Sequence, residues 1–158
     1  MKKPSVSVII PVYNRSSLLR EAVLSVVRQS FEDFELIIAD DCSSENLRYT
    51  VLEIPGTGGI PLKFIRLDAH SGMPGFVRNR GAEKAEGDYI AFLDSDDIWM
   101  PDKLEKQVSF LAGCAAAPGF DDAAGPLSIQ GRENRTGCAI CHTREKWVRG
   151  GKTVSQSS

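Results

Sequence analysis

Acidic side chains gather at two points where an apolar run ends: Asp40-Asp41, and Asp94-Ser95-Asp96-Asp97. Asp94 and Asp96 are two positions apart, and in an extended segment residues i and i+2 point to the same side. Both carboxylates can therefore face one ion. Like charges brought together repel, and a divalent cation is the simplest compensation. Hard cations such as Mg²⁺ take a few carboxylates plus phosphate oxygens, and an ion so held stabilises a departing diphosphate as a Lewis acid. The alternative is an exposed acidic turn capping a helix that opens near Pro101, a role suited to Asp97 and Asp102. Asp40-Asp41 also has two readings. One is a turn with an N-cap for a helix after Ser43. The other is a carboxylate accepting an N–H from a nucleobase, or ribose hydroxyls, through charge-assisted bonds. Tyr13 offers a face for a base to stack on, or fills the core. Arg78 and Arg80, just before Gly81, could pair with phosphate or lie on a solvated helix face.

These residues sit at the ends of recognisable elements. Residues 6–10 form a short β-branched run closed by Pro11, the mark of a buried strand. Ser17 suits the cap of a helix over 18–29, whose Leu18, Leu19, Ala22, Val23, Val26 and Val27 recur at helical spacing. Residues 34–39 make a second strand, ended by the acid pair. A weaker helix follows Ser43-Ser44, with Leu47, Val51 and Ile54 at i, i+4 and i+7, and Pro55-Gly56 stops it. Residues 62–67 make a third strand. Pro74 suits the first turn of a third helix and Gly87 its end. Residues 89–93 make a fourth strand, and Pro101 opens a fourth helix carrying Leu104, Val108 and Leu111. Strands alternating with helices predict an α/β fold: an open, largely parallel sheet with helices on both faces. In such sheets ligands bind beyond the carboxyl ends of the strands, where Tyr13, Asp41 and Asp94 fall. No Gly-x-Gly-x-x-Gly and no Walker loop is present, which argues against a dinucleotide dehydrogenase or an NTPase.

Beyond residue 111 the periodicity fails. Residues 112–138 are rich in Ala and Gly and read as a loop or insertion, which is uncommon inside a compact domain. Order is expected to return near Ile140, with a hairpin around Gly150-Gly151 and a frayed end. The expected organisation is thus an α/β domain over 1–111, the insertion over 112–138, and a short irregular end over 139–158.

The chain has 158 residues, 42% of them apolar and 25% charged, with 14 glycines and 8 prolines. That is a globular balance at the size of one domain. Nineteen basic residues against 21 acidic ones leave no cationic excess for nucleic acid. The longest uncharged stretch, 107–120, is interrupted by Pro118 and is too short to span a bilayer. No small-residue cleavage site follows Met1-Lys2-Lys3. A cytoplasmic location is expected, with the inner face of the membrane as a docking place. The four cysteines need no disulfides in that compartment. Cys138-Ala-Ile-Cys141-His142 matches a c-type haem attachment pattern, but attachment would require export. A zinc site from Cys114, Cys138, Cys141 and His142 has suitable ligand types, but adjacent Cys141 and His142 would strain a tetrahedron. Ordinary reduced cysteines are the expectation.

Four stretches taken together resemble the family 2 glycosyltransferases of the GT-A, Rossmann-like fold: VSVIIPVYN at 6–14, SFEDFELIIADDCS at 30–43, RNRG at 78–81 and GDYIAFLDSDDIWMPD at 87–102. The likeness covers about residues 4–111. It implies a nucleotide-sugar donor, often UDP-linked, an acceptor hydroxyl on a glycan, lipid or other molecule, and a Mg²⁺ or Mn²⁺ cofactor. By position, Pro11, Val12 and Tyr13 would line the base pocket and Asp41 would bond the base. Asp94 would lie near the ribose and the metal, Asp96 would be the main metal ligand, and Arg78 would approach the phosphates. The family usually inverts the anomeric carbon, a carboxylate base taking the acceptor's proton as the metal holds the leaving diphosphate. That base normally lies downstream in an acceptor-binding half. After Asp122 only Glu133 and Glu145 remain among the acids, so no base is assigned here; residues 139–158, with Thr143 to Trp147, are the candidate start of that acceptor-binding half. The alternative expectation is a non-catalytic nucleotide-sugar-binding module or an inactive truncated remnant.

Overall fold

The computed structural model describes residues 3–115 and 140–142. The elements run β1 (Val6–Val12), α1 (Ser16–Val27), β2 (Phe34–Asp40), α2 (Leu47–Leu52), a 3-10 turn (Thr57–Gly59), β3 (Leu62–Arg66), α3 (Pro74–Ala82), β4 (Tyr89–Phe92), α4 (Lys103–Ala115) and β5 (Ile140–His142). They build one sheet in the order β3-β2-β1-β4-β5. β1 to β4 are parallel, and β5 lies antiparallel at the edge, Ala91 opposite Ile140. This is the open, largely parallel α/β sheet expected. The expected hairpin and the residues joining α4 to β5, Cys138 among them, lie outside the described residues.

β1 and β2 are buried along their whole length, which is why both read as unbroken apolar runs rather than alternating ones. Their two faces serve different helices. Val8, Ile10 and Val12 with Leu36 and Ile38 pack on Leu19, Val23 and Val26 of α1, Leu47 and Val51 of α2, and Leu104 and Leu111 of α4. Ile9, Ile37 and Ile90 face the other way, onto Ala82 of α3 and nearby Ala85. Burying an Ile or Leu side chain stabilises by roughly 1.5–3 kcal/mol, so this double burial anchors the two central strands.

Several boundaries differ from the sequence reading. β1 does not stop at Pro11 but runs on to Val12. Ile9 C=O accepts from Leu93 N–H on the β4 side, whereas Val12 C=O accepts from Asp41 N–H on the β2 side. Residues 9 and 11 share a direction, so the missing Pro11 N–H points toward β4, past its last paired residue, Phe92. There it costs no ladder bond. α1 is not capped by Ser17. Its N-cap is Arg15, left-handed at φ 65°, and the first amides are met from another loop: Glu45 accepts Arg15 N–H at 3.1 Å and Ser16 N–H at 3.0 Å. The Ser16 hydroxyl first, and then these amides, hold the Glu45 carboxyl below its usual range. α2 is capped by Asn46, which accepts Tyr49 N–H at 3.2 Å. α3 ends at Ala82, well before Gly87. The glycine instead answers a close approach, because a Cβ there would lie 2.5 Å from Ser7 N and 2.7 Å from Val6 C.

The stretch between β4 and α4 is held from α1. Buried Gln29 donates to Met100 C=O at 2.7 Å and accepts Leu104 N–H at 3.0 Å, and Ser25 Oγ accepts Trp99 N–H at 3.1 Å. Trp99 is buried, with the Lys103 ammonium 4.2 Å from its ring centroid.

Two variants test this frame. Gly87→Ala forces a methyl against the β1 backbone and should cost about 1–3 kcal/mol by urea unfolding; unchanged stability would mean the approach is looser than described. Gln29→Leu, similar in size, strands the 100–104 backbone groups and should cost about 1–3 kcal/mol. A loss no larger than for an exposed substitution such as Arg20→Leu would refute the anchoring role.

Candidate functional site

β1 leads through α1 to β2 on one side, while β4 lies on the other, so the strand order reverses between β1 and β4. At such a switch point the loops leaving the carboxyl ends diverge and open a crevice. A cleft of about 520 Å³ lies there, lined by Pro11, Val12, Tyr13, Arg15, Asp41, His70, Gly72, Pro74, Val77, Arg78, Asp94, Ser95 and Asp96. The seven residues that the family resemblance would place at the site all line it: Pro11, Val12, Tyr13, Asp41, Arg78, Asp94 and Asp96. They come from the ends of β1, β2 and β4 and from α3.

The acid pair after β2 divides its labour. Asp40 is fully buried and turns inward, accepting Ser43 N–H at 2.9 Å, with the Arg66 guanidinium 3.5 Å away. It performs the turn role. Asp41 faces the cleft, though only 4% exposed. Its carboxylate accepts Ser71 N–H at 2.8 Å and Gly72 N–H at 3.2 Å, and His70 Nδ1 lies 2.8 Å from it. Burial alone would raise the Asp41 pKa, but the Ser71 and Gly72 bonds and the nearby imidazole outweigh it and hold the carboxyl below its ordinary 3.8. The β1–α1 turn is tied to this same loop. Asn14 N–H donates to Ser43 Oγ at 2.7 Å, and Ser44 N–H to Asn14 Oδ1 at 3.0 Å. Asn14 and Arg15 are both left-handed, at φ 53° and 65°, a strained pair of the kind that gathers where side chains must be aimed.

The second acid cluster is not extended. β4 ends at Phe92, and Asp97 N–H donates to Asp94 C=O at 3.0 Å, closing a turn. The alternation argument therefore does not apply at 94–97; the turn puts Asp94 and Asp96 on the cleft with Ser95 between them, 6% exposed. Each acid faces an arginine. Arg78 bonds Asp94, and Arg15 lies 3.0 Å from Asp96. Arg80 instead pairs with Glu83 at 2.7 Å on the solvated face of α3. Asp97 is raised above its usual value by burial, then by the charges of Asp94 and Asp96, so negative charge stays in surplus here. Among the described residues no three His, Cys, Asp or Glu converge into a metal cage. Two cleft-facing carboxylates suit instead a cation that takes its remaining ligands from water and phosphate. Asp102, just before α4, pairs with Lys106 at 2.5 Å, one turn into the helix, and does not line the cleft.

Sequence reasoning gave no role in the cleft to six lining residues: Arg15, His70, Gly72, Pro74, Val77 and Ser95. Arg15 follows Asn14 directly and was detectable as a cation beyond a strand end. His70 and Gly72 lie in the β3–α3 loop, where the acid that follows the strand, Asp68, was given no role.

The depressed Asp41 pKa carries a pH prediction. The unfolded carboxyl takes up its proton before the folded one does, so Asp41's contribution is complete above pH 3.8 and fades as pH falls through the lower folded value. The urea-stability gap between the parent and Asp41→Asn should be wider at pH 7 than at pH 3. A gap independent of pH would contradict the hydrogen-bonded carboxylate described here.

Comparison with known proteins agrees with this geometry. The family model "Glycosyl transferase family 2" matches residues 7–134. TuaG of Bacillus subtilis, named for teichuronic acid biosynthesis, is 42% identical over 118 residues, covering 75% of this chain and 46% of its own. The Escherichia coli UDP-Glc:alpha-D-GlcNAc-diphosphoundecaprenol beta-1,3-glucosyltransferase WfgD is 40% identical over 106 residues, 67% of this chain and 40% of its own. The chain thus spans less than half the length of these relatives. Among solved structures, the mannosyltransferase PcManGT of Pyrobaculum calidifontis, in complex with GDP-Man and Mn²⁺, superposes with a TM-score of 0.75 at 21% identity, over 96% of this chain and 48% of its own. At that identity the likeness shows the fold, an open parallel sheet of GT-A type. With the family model covering most of its length, the chain belongs to glycosyl transferase family 2.

Proposed function

We propose that the protein binds a UDP-linked sugar in the strand-end cleft and transfers the sugar, with inversion and with the help of Mg²⁺ or Mn²⁺, to a hydroxyl on a glycan or lipid acceptor. One observation carries the reading: residues from four separate stretches, chosen for nucleotide and metal chemistry, line a single cleft at the switch point of the sheet. The UDP assignment is supported by WfgD, whose name gives UDP-Glc as donor.

In this reading Tyr13 stacks on the base, with Pro11 and Val12 as the apolar floor beside it. The Asp41 carboxylate accepts the N–H of the base. At neutral pH the carboxyl is ionised and can only accept, as that bond requires. Asp94 and Asp96 would hold the cation, which when bound stabilises the departing diphosphate. Arg78 and Arg15 bring positive charge to the same edge. Each now balances an acid, and each is long enough to turn to phosphate oxygens, which a guanidinium meets in a bidentate fork. Among the described residues no helix is long and apolar enough to cross a membrane.

Calorimetric titration with UDP, with and without Mn²⁺, tests the assignment. Asp96→Asn keeps size and removes charge, so UDP and Mn²⁺ affinities should fall together, roughly 5–150-fold, as linked equilibria do. Asp41→Asn should weaken UDP about tenfold through the base contact alone and keep most of the Mn²⁺ dependence. If Asp96→Asn binds UDP with Mn²⁺ as well as the parent does, the acidic turn is only a connection into α4 and the metal assignment falls.

A further inference from the structure

Under the proposed function, Tyr13 and Asp41 form the seat of the nucleobase, one by stacking and the other by accepting an N–H. A side chain of the protein already makes both contacts. The His70 ring stacks on Tyr13 with centroids 3.8 Å apart and planes inclined by 20°. Its Nδ1 lies 2.8 Å from Asp41 Oδ2 and 3.3 Å from Asp41 C=O. Both neighbours are acceptors, so Nδ1 carries the proton and donates it. A flat heteroaromatic ring with a ring N–H directed at a carboxylate matches the face a uracil would present. The two rings are in contact, and a base placed between them would need about 7 Å, twice the usual ~3.5 Å contact distance.

We propose that His70 is a surrogate for the nucleobase: its imidazole fills the base seat in the unliganded protein and swings out when a nucleotide enters. The inference rests on the proposed function and adds to it a residue with a defined task. The surroundings suit such an exchange. The His70 side chain is 44% exposed, so it can rotate into solvent. Asp41 keeps its bonds from Ser71 and Gly72 N–H whichever ring is present, so the carboxylate stays aimed while the rings trade places. Gly72, at φ 66°, turns the chain two residues after the histidine. The surrogate spares Asp41 from losing a partner in the empty site. It also lowers apparent nucleotide affinity by the fraction of time the seat is filled. A seat filled about 80% of the time weakens binding about fivefold.

The test uses the full chain and two probes: UDP, and inorganic pyrophosphate, which has no base, each titrated with Mn²⁺. His70→Ala should tighten UDP by about fivefold and leave pyrophosphate unchanged, and His70→Asn, which keeps a polar side chain but cannot stack, should do the same. In the parent, the His70 imidazole proton signal, identified by its loss in His70→Ala, should be displaced by the Tyr13 ring current and move toward the free-imidazole position on saturation with UDP. UDP binding that is unchanged or weaker in both variants overturns the proposal, as does a His70 signal that UDP leaves in place, or an equal gain for pyrophosphate. Tyr13→Ala separates the two layers. If it weakens UDP while the His70 variants fail to tighten it, the surrogate role alone falls. If Tyr13→Ala and Asp41→Asn both bind UDP like the parent, the base seat itself is misplaced.

Discussion

Parallel strands deliver all their carboxyl ends to one edge of the sheet, and a sheet buried on both faces leaves almost nowhere else for polar chemistry. β1 and β2 are enclosed along their lengths, so a charge within them is tolerated only with partners enough to replace water. Glu35, 1% exposed, shows the terms: Ser7 Oγ donates to it at 2.5 Å, Glu86 N–H at 2.6 Å, and Lys63 lies 2.8 Å away. That network sits at the start of the strands, away from the cleft. At the other end, Asp41, Asp94 and Asp96 keep a face on the cleft, which lets ligand chemistry gather there.

The edge is braced from several strands at once. Loops from different strands hold one another through bonds that sequence proximity does not suggest: Glu45 to the first amides of α1, Ser43 and Ser44 to Asn14, Gln29 to the approach to α4. Each converts a flexible connection into a fixed platform, and a fixed platform lowers the ordering cost of binding. The acids are likewise matched with cations, Asp94 with Arg78 and Asp96 with Arg15. These pairs are partly exposed, so each is worth little to stability. Their value lies in position: carboxylates and guanidiniums stand where a cation and a diphosphate would need them.

The sheet was legible because its strands carry their own signature. Largely apolar runs, each closed by an acid or a proline, marked β1, β2 and β4, and the helical spacing of Leu18, Leu19, Ala22, Val23, Val26 and Val27 marked α1. Boundaries were less legible wherever a tertiary contact decides them. Nothing local to Ser17 shows that Glu45 will cap α1, and Gly87 looks like a helix stop until the β1 backbone is laid against it. The acids of the cleft stood out because charge at the end of an apolar run is conspicuous. The alternation argument for Asp94 and Asp96 nevertheless failed, since a turn, not a strand, presents them. His70 was illegible for a similar reason: its neighbours Tyr13 and Asp41 are brought to it by two other strands.

The central claim is that one edge of the sheet receives both the diphosphate and its cation. Paramagnetic broadening of backbone amide signals by Mn²⁺ in the presence of UDP reads this directly. The account predicts that amides of residues 94–97 broaden first and that those of Ser7, Glu35 and Gly87, at the opposite end of the strands, stay sharp. Broadening centred away from 94–97, or spread evenly over both ends of the sheet, would contradict it.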